Sequence, residues 1–167
     1  MPNSLHDSIT IVQGAIVCAD SAIRGAVTIG AGTVVHPQCQ IIAERGPITI
    51  GENNIIAECT RIINRSEEPL VIGHYNTLEV ASGNYNVIEA RGRVLAGTTL
   101  GDFCVITPAC STLANEHVPD KTVIYGEAQD RRLQTEDYKS QLAVYIKHLK
   151  YLQDMLPRYN HLRKSTI

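Results

Sequence analysis

The 167-residue chain contains no tryptophan and one phenylalanine, and only 5% of its residues are aromatic. A core built on large rings is therefore excluded, and aliphatic side chains must fill it. No apolar run approaches the twenty or so residues that a membrane-spanning helix requires, so membrane insertion is not expected. Met1 to Ser8 lacks the charged-then-apolar pattern of a secretory leader, so a soluble, intracellular chain is expected. A net charge of −2 offers no footprint for nucleic acid or an anionic membrane surface. Five cysteines make an odd number, without a C-x-x-C pair or metal-type spacing, and read as buried structural thiols. Phosphate-loop, dinucleotide and nucleophile-elbow signatures are absent from the sequence.

What the chain does have is a beat of six. Ile11, Val17, Ile23, Ile29, Val35 and Ile41 recur at strict intervals, followed by Ile50, Ile56 and Ile62 and by Ile88, Val94, Leu100 and Ile106. Neither a helix of period 3.6 nor an alternating strand accounts for six. A coil that turns a corner every six residues does, with one short strand and one inward aliphatic anchor per side. The fifth residue of each six is usually small or polar, as at Ala15, Ser21, Val27, Thr33, Cys39, Thr60, Thr98, Cys104 and Cys110. Three sides make a coil of eighteen, the spacing from Ile11 to Ile29 and from Ile88 through Ile106 to Ile124. This phase predicts Ile11, Ile29, Ile50 and Ile72 on one side, with Ile88, Ile106 and Ile124 in later register.

Two excesses interrupt the count, and each falls on polar, turn-like residues that should bulge from a corner: Glu44–Pro47 and Arg65–Pro69. Leu78 to Ser82 is too short for a side, and the period supplies no way to close that coil. The expected organisation is a lead-in over 1–8, a β-solenoid of six to seven coils over 9–126, a linker over 127–135, an amphipathic helix over 136–156 and a tail over 157–167. In the helix, Tyr138, Leu142, Tyr145, Ile146, Leu149, Leu152, Met155 and Leu156 form one stripe, with Thr135, Glu136 and Asp137 as cap and acidic first turn and Pro157 near its close. A lone helix of this length is marginal in water, so the stripe should lie along a flat face of the prism; a second contact with a partner stays open.

Several stretches together resemble the dynactin subunit 6 family. They are Ile23–Gly30, Val34–Pro37, Ile41–Pro47, Thr122–Gly126, Arg131–Glu136 and the ending Leu156–Lys164. Hexads are shared by many transferases, but the segment from Tyr125 to Glu136 and the Leu-Pro-x-Tyr-x-His-Leu ending are not driven by the hexad. The resemblance implies a left-handed parallel β-helix followed by an α-helix. It also implies a non-catalytic, cytoplasmic, cytoskeleton-associated scaffold subunit at the pointed end of dynactin, paired with dynactin subunit 5. Through other pointed-end subunits it would act indirectly on cytoplasmic dynein and cargo adaptors. The chain departs from the family at Arg24-Gly25-Ala26, where an acid usually follows the glycine, and in its short Arg65–Pro69 and Leu78–Ser82 stretches.

The same repeat also houses homotrimeric enzymes, γ-class carbonic anhydrases and acyltransferases, which form the alternative reading. A γ-type zinc site takes three histidines. Here Ile72-Gly73-His74 supplies one, while Ile63 and Glu79 stand at the other two positions. An acyltransferase needs a histidine base. His36 is expected on an outer face and His117 at a corner, and neither has a carboxylate partner in sequence. No catalytic residue, metal ligand or cofactor is therefore assigned.

Overall fold

A computed structural model of the protein describes residues 8–78, 84–89, 93–94, 98–135 and 138–167. The first coil holds β1 (Ser8–Ile11), β2 (Ile16–Val17) and β3 (Ala22–Arg24). The second holds β4 (Ala26–Ile29), β5 (Val34–Val35) and β6 (Gln40–Ala43), and the third β7 (Ile48–Ile50), β8 (Ile55–Ile56) and β9 (Arg61–Asn64). Later coils contribute β10 (Leu70–Ile72), β11 (Thr77–Leu78), β12 (Val87–Ile88), β13 (Thr99–Leu100), β14 (Val105–Ile106), β15 (His117–Val118) and β16 (Thr122–Tyr125). β17 (Asp130–Leu133) and the helix α1 (Tyr138–Tyr159) complete the chain.

The strands stack into three faces of a parallel solenoid. The first face runs β1-β4-β7-β10, the second β2-β5-β8-β11-β12-β14-β16 with β17 at its end, and the third β3-β6-β9. Ile11, Ile29, Ile50 and Ile72 lie in register on the first face and are 3%, 0%, 1% and 1% exposed. Ile88, Ile106 and Ile124 are likewise stacked and buried, but on the second face, continuing the line of Val17, Val35 and Ile56. These columns merge into one core with Ile23, Ile41 and Ile62 of the third face.

The change of column follows from one short coil. Thr77 pairs with Val87, a step of ten residues, whereas the next step, Val87 to Val105, is again eighteen. The residues that close this step, 79–83, lie outside the described ones, as do Glu136 and Asp137 of the expected cap and residues 1–7 of the expected lead-in 1–8, whose last residue, Ser8, already belongs to β1.

Many corners hold a left-handed residue, and one corner column shows how the sequence meets that need. Gly14 and Gly32 are followed by Asn53, Tyr75, Tyr85, Phe103 and Lys121, all with φ between 54° and 89°. A non-glycine residue in this region costs about 1–3 kcal/mol when held there. The aromatic members offset that cost by stacking: Tyr75 on Tyr85 at 5.2 Å and Tyr85 on Phe103 at 4.8 Å between centroids, nearly parallel. Gly25, with φ of 79°, has a further reason to be glycine, since a Cβ there would lie 2.3 Å from the Ala43 carbonyl oxygen.

Two further boundaries, beside that at Ser8, differ from the sequence expectation. The stretch expected as a linker, 127–135, contains β17, which turns back and pairs antiparallel with β16 from Thr122↔Leu133 to Tyr125↔Asp130. The helix also continues past Leu156 to Tyr159. Pro157 removes one donor but lies in the last turn, where the Asn160 amide and side chain both donate to the Leu156 carbonyl at 3.0 and 3.2 Å.

Candidate assembly surfaces

The outward side of the second face is apolar where it meets α1. Ile16, Val34 and Ile55 are in register there, and Tyr145, Leu149, Leu152 and Leu156 pack on them. Burying Leu149 and Leu152 to 5% and 7% exposure contributes about 1.5–3 kcal/mol each, which the isolated helix lacks. Polar groups fix the docking register. The Tyr145 hydroxyl donates toward the Asn53 and Asn76 carbonyls at 2.6 and 3.1 Å, and the Gln153 amide to the Gly32 carbonyl at 2.7 Å. Burial pushes the Tyr145 phenol well above its ordinary range, with Tyr75 adding to the shift, so it stays a donor.

After the helix the tail crosses the mouth of the first coil. Leu162 bridges antiparallel to Cys18, with the Ala19 amide donating to the His161 carbonyl and the Arg163 amide to the Val17 carbonyl, at 2.7 and 2.8 Å. The Thr166 amide donates to the Ile11 carbonyl, the Ile11 amide to the Thr166 hydroxyl, and the Gln13 amide to the Ile167 carbonyl. Arg163 reaches the Ser21 carbonyl through Nη2 at 2.6 Å, while its Nε is buried with no hydrogen-bond partner among the described residues. An open terminal coil presents unpaired strand groups, and this strap satisfies much of that edge.

The opposite end is closed differently. Paired residues share a side of the sheet, so Arg131 and Leu133 of β17 lie on the lumen side with Ile124 and Thr122. Arg131 crosses the mouth to Glu116 in a two-pronged pair, Nε to Oε1 at 2.9 Å and Nη2 to Oε2 at 3.0 Å. The pair holds the Glu116 carboxyl below its ordinary range, and Glu116 also accepts from the Leu113 amide. Leu133 and Leu113 are nonetheless 66% and 62% exposed. The end therefore offers a neutralised, partly apolar surface.

The residues singled out for chemistry do not converge. His36 is half-buried at the end of β5, and burial, helped by His148 and opposed by Glu58, holds its imidazole below the ordinary range. His74 is exposed, and its Nδ1 accepts the Glu52 amide at 2.9 Å, a structural bond from one coil to the next. His117 is exposed in β15, and Ile63 lies half-buried on the third face in register with Ile42. Glu79 lies outside the described residues, among which no group of three metal-ligating side chains occurs. Cys18, Cys39, Cys104 and Cys110 are buried and Cys59 is exposed, all unpaired. Burial pushes the Cys39 thiol to about 12, so it is a packing group and not a nucleophile.

The sequence reading missed the strap and β17. Its one signal for them was the pair of stretches outside the hexad, Tyr125–Glu136 and Leu156–Lys164, which supply the two end closures.

No family model matches the chain. Curated relatives do match along nearly all of it. Dynactin subunit 6 of Danio rerio is 41% identical over 177 residues, covering 95% of this chain and 89% of that protein. Dynactin subunit 6 of Nematostella vectensis is 40% identical, covering 93% and 92%, and that of Dictyostelium discoideum 33%, covering 94% and 89%. Among solved structures, a candidate acetyltransferase of Bacillus cereus is similar with a TM-score of 0.68, 16% identity, and 89% and 91% of the two chains covered. A UDP-N-acetylglucosamine acyltransferase of Bacteroides fragilis gives a TM-score of 0.53 at 14% identity, covering 95% and 87%. At such identities the likeness is one of fold alone.

Proposed function

The chain belongs to the dynactin subunit 6 family, and from that membership we propose that it is a non-catalytic scaffold subunit of the pointed-end part of dynactin. In this reading it pairs with dynactin subunit 5, sits with the other pointed-end subunits in the cytoplasm on the cytoskeleton, and supports cargo and adaptor binding by cytoplasmic dynein. The observation that carries the proposal is the match at 33–41% identity over 93–95% of the chain, together with a non-repeat ending whose residues His161–Ile167 close the first coil as a strap that a hexapeptide coil does not require. A rigid prism suits a scaffold, since its coils hold surfaces at fixed spacing. The C-terminal end, with Leu133 and Leu113 exposed beside a neutralised ion pair, is where a partner coil gains most by continuing the stack.

The test is purification of the protein expressed at native level from its own cells. The scaffold reading expects it in the large dynactin particle together with subunit 5. Recovery as a free homotrimer with stoichiometric zinc, or with acyl-transfer activity lost on His74→Ala or His36→Ala, overturns it in favour of an enzyme.

A further inference from the structure

The net charge of −2 averages two opposed parts. Residues 1–137 carry nine Lys and Arg against sixteen Asp and Glu, a balance of −7; residues 138–167 carry six against one, a balance of +5. The basic part is the helix and strap, and it lies on an acidic prism. Lys147, Lys150, Arg158 and Lys164 are all exposed.

The exposed side of α1 is not a uniform solvated face. Val144, Lys147, Tyr151, Asp154 and Arg158 follow one another at spacings of three and four, which places them in one seam opposite the buried Leu149 and Leu152. Val144 is 67% and Tyr151 57% exposed, although other positions of the helix bury such side chains readily. Asp154, the only acid in the helix, is tied to Arg158 at 2.8 Å, so it does not neutralise the lysines. Lys147 and Lys150 have no ion-pair partner among the described residues.

We propose that this outward face of α1 docks an acidic helical segment of another protein. Its carboxylates would meet Lys147 and Lys150, and its apolar side chains would cover Val144 and Tyr151. The seam from Val144 to Arg158 is about 21 Å long, a length that a second helix of four turns matches. The acidic prism selects against longer polyanions. A duplex or an anionic bilayer laid on α1 brings its charge to within about one Debye length of the nearer part of the prism, whose described residues between 8 and 126 carry ten acids against six bases, whereas a short segment stays on the helix. Charge complementarity and the heptad-like spacing both favour a short acidic helix, and the proposal holds whether or not the pointed-end reading does.

The experiment uses the purified full chain and three defined probes. They are a fluorescent helical peptide of matching length built from Glu, Ala and Leu with leucines at three-four spacing, vesicles of phosphatidylserine and phosphatidylcholine, and single-stranded DNA. Saturable peptide binding is expected. It should weaken about tenfold or more on raising salt from 50 to 300 mM, and vanish in Lys147→Glu/Lys150→Glu. It should also weaken at least about fivefold in Val144→Ser/Tyr151→Ser, which leaves charge unchanged and so excludes simple attraction of opposite charges. If either double variant melts lower than the parent, the single variants Lys147→Ala and Tyr151→Ala carry the test. Peptide binding insensitive to both changes, no peptide binding at all, or tighter binding of vesicles or DNA overturns the proposal.

Discussion

The two ends of the solenoid meet the same difficulty by different means. At the C-terminal end the closure is local: β17 folds back on β16 across the short turn at Gly126–Gln129, and Arg131 spans the mouth to Glu116. At the N-terminal end it is distant, since the strap that pairs with Val17–Ala19 arrives from His161–Arg163 after the helix has packed across β8, β5 and β2 of the second face. A local hairpin closes at small entropic cost and can form as the last coil forms, whereas the strap needs helix and coils already in place. The N-terminal coil therefore depends on the C-terminus of the chain, and the C-terminal coil depends only on its neighbours.

Deletion should expose this asymmetry with the largest effect. Removing residues 134–167 strips the strap and exposes Ile16, Val34 and Ile55, so the truncated protein is expected to aggregate on size exclusion. Replacing Asp130, Arg131 and Arg132 with glycine, the corresponding injury at the other end, should leave a monodisperse protein. A truncated chain that runs as a sharp monomer with an unchanged melting temperature would remove the asymmetry and mark the helix as an element for partners alone.

The sequence displays the coils far better than it displays their ends, and the reason is physical. An inward anchor every six residues is a side-chain signal, so Ile11, Ile29, Ile50 and Ile72 could be placed together through insertions of three and four residues. The helical stripe is likewise a side-chain pattern, and Leu149 and Leu152 are buried as it requires. The strap is held by backbone groups of His161, Arg163 and Thr166, which any sequence carries, and β17 reads Asp-Arg-Arg-Leu, without strand alternation. The ten-residue step from Thr77 to Val87 has no period to reveal it, so the column of Ile88 moved to the second face. The absence of a zinc set was argued from Ile63 and Glu79. The basic helix face went unseen because net charge sums over opposed parts.

A finer cut separates strap from helix. Deleting residues 161–167 keeps Leu149 and Leu152 in place but removes the partners of the Ala19, Ile11 and Gln13 amides. At about 0.5–1.5 kcal/mol per hydrogen bond, the loss from these three is expected to be about 1.5–4.5 kcal/mol, concentrated in the first coil. Hydrogen exchange should quicken at these amides while Thr107 and Cys110, far up the prism, keep their protection. Uniform acceleration along the chain would show that the strap supports the whole fold and not one end.

The local closure should give a smaller effect that depends on pH. Arg131→Ala is expected to cost about 1 kcal/mol, as the pair is partly exposed and screened. Glu116 has a folded-state pKa below its ordinary 4.5, so the pair's stabilisation is complete above that value and fades as pH falls through the lowered one. The difference in melting temperature between parent and variant should thus shrink from pH 6 to pH 3. A difference that holds or grows in acid would mean that Glu116 is not the group that matters.

The corner insertion Arg65–Pro69 is a third place where the repeat is broken, and it should matter least. Unlike the ends, it leaves no strand edge open; its base is anchored within the third coil by Asn64, which is only 5% exposed. The Asn64 amide donates to the Pro47 and Glu68 carbonyls at 3.1 and 2.9 Å, and its Oδ1 accepts the Ser66 amide at 3.0 Å. The outermost contact, Arg65 with Glu44, joins well-exposed side chains and contributes about 0–1 kcal/mol. Replacing Ser66, Glu67 and Glu68 with glycine and serine keeps every backbone carbonyl that Asn64 uses, and the entropy of closing an equal-length loop changes little. The melting temperature should therefore stay within about 2 °C of the parent, since 1 kcal/mol corresponds to roughly 2–4 °C in a chain of this size. A fall of 8 °C or more would place the side chains of this corner among the supports of the prism, and would make a corner, not an end, its most sensitive break in the repeat.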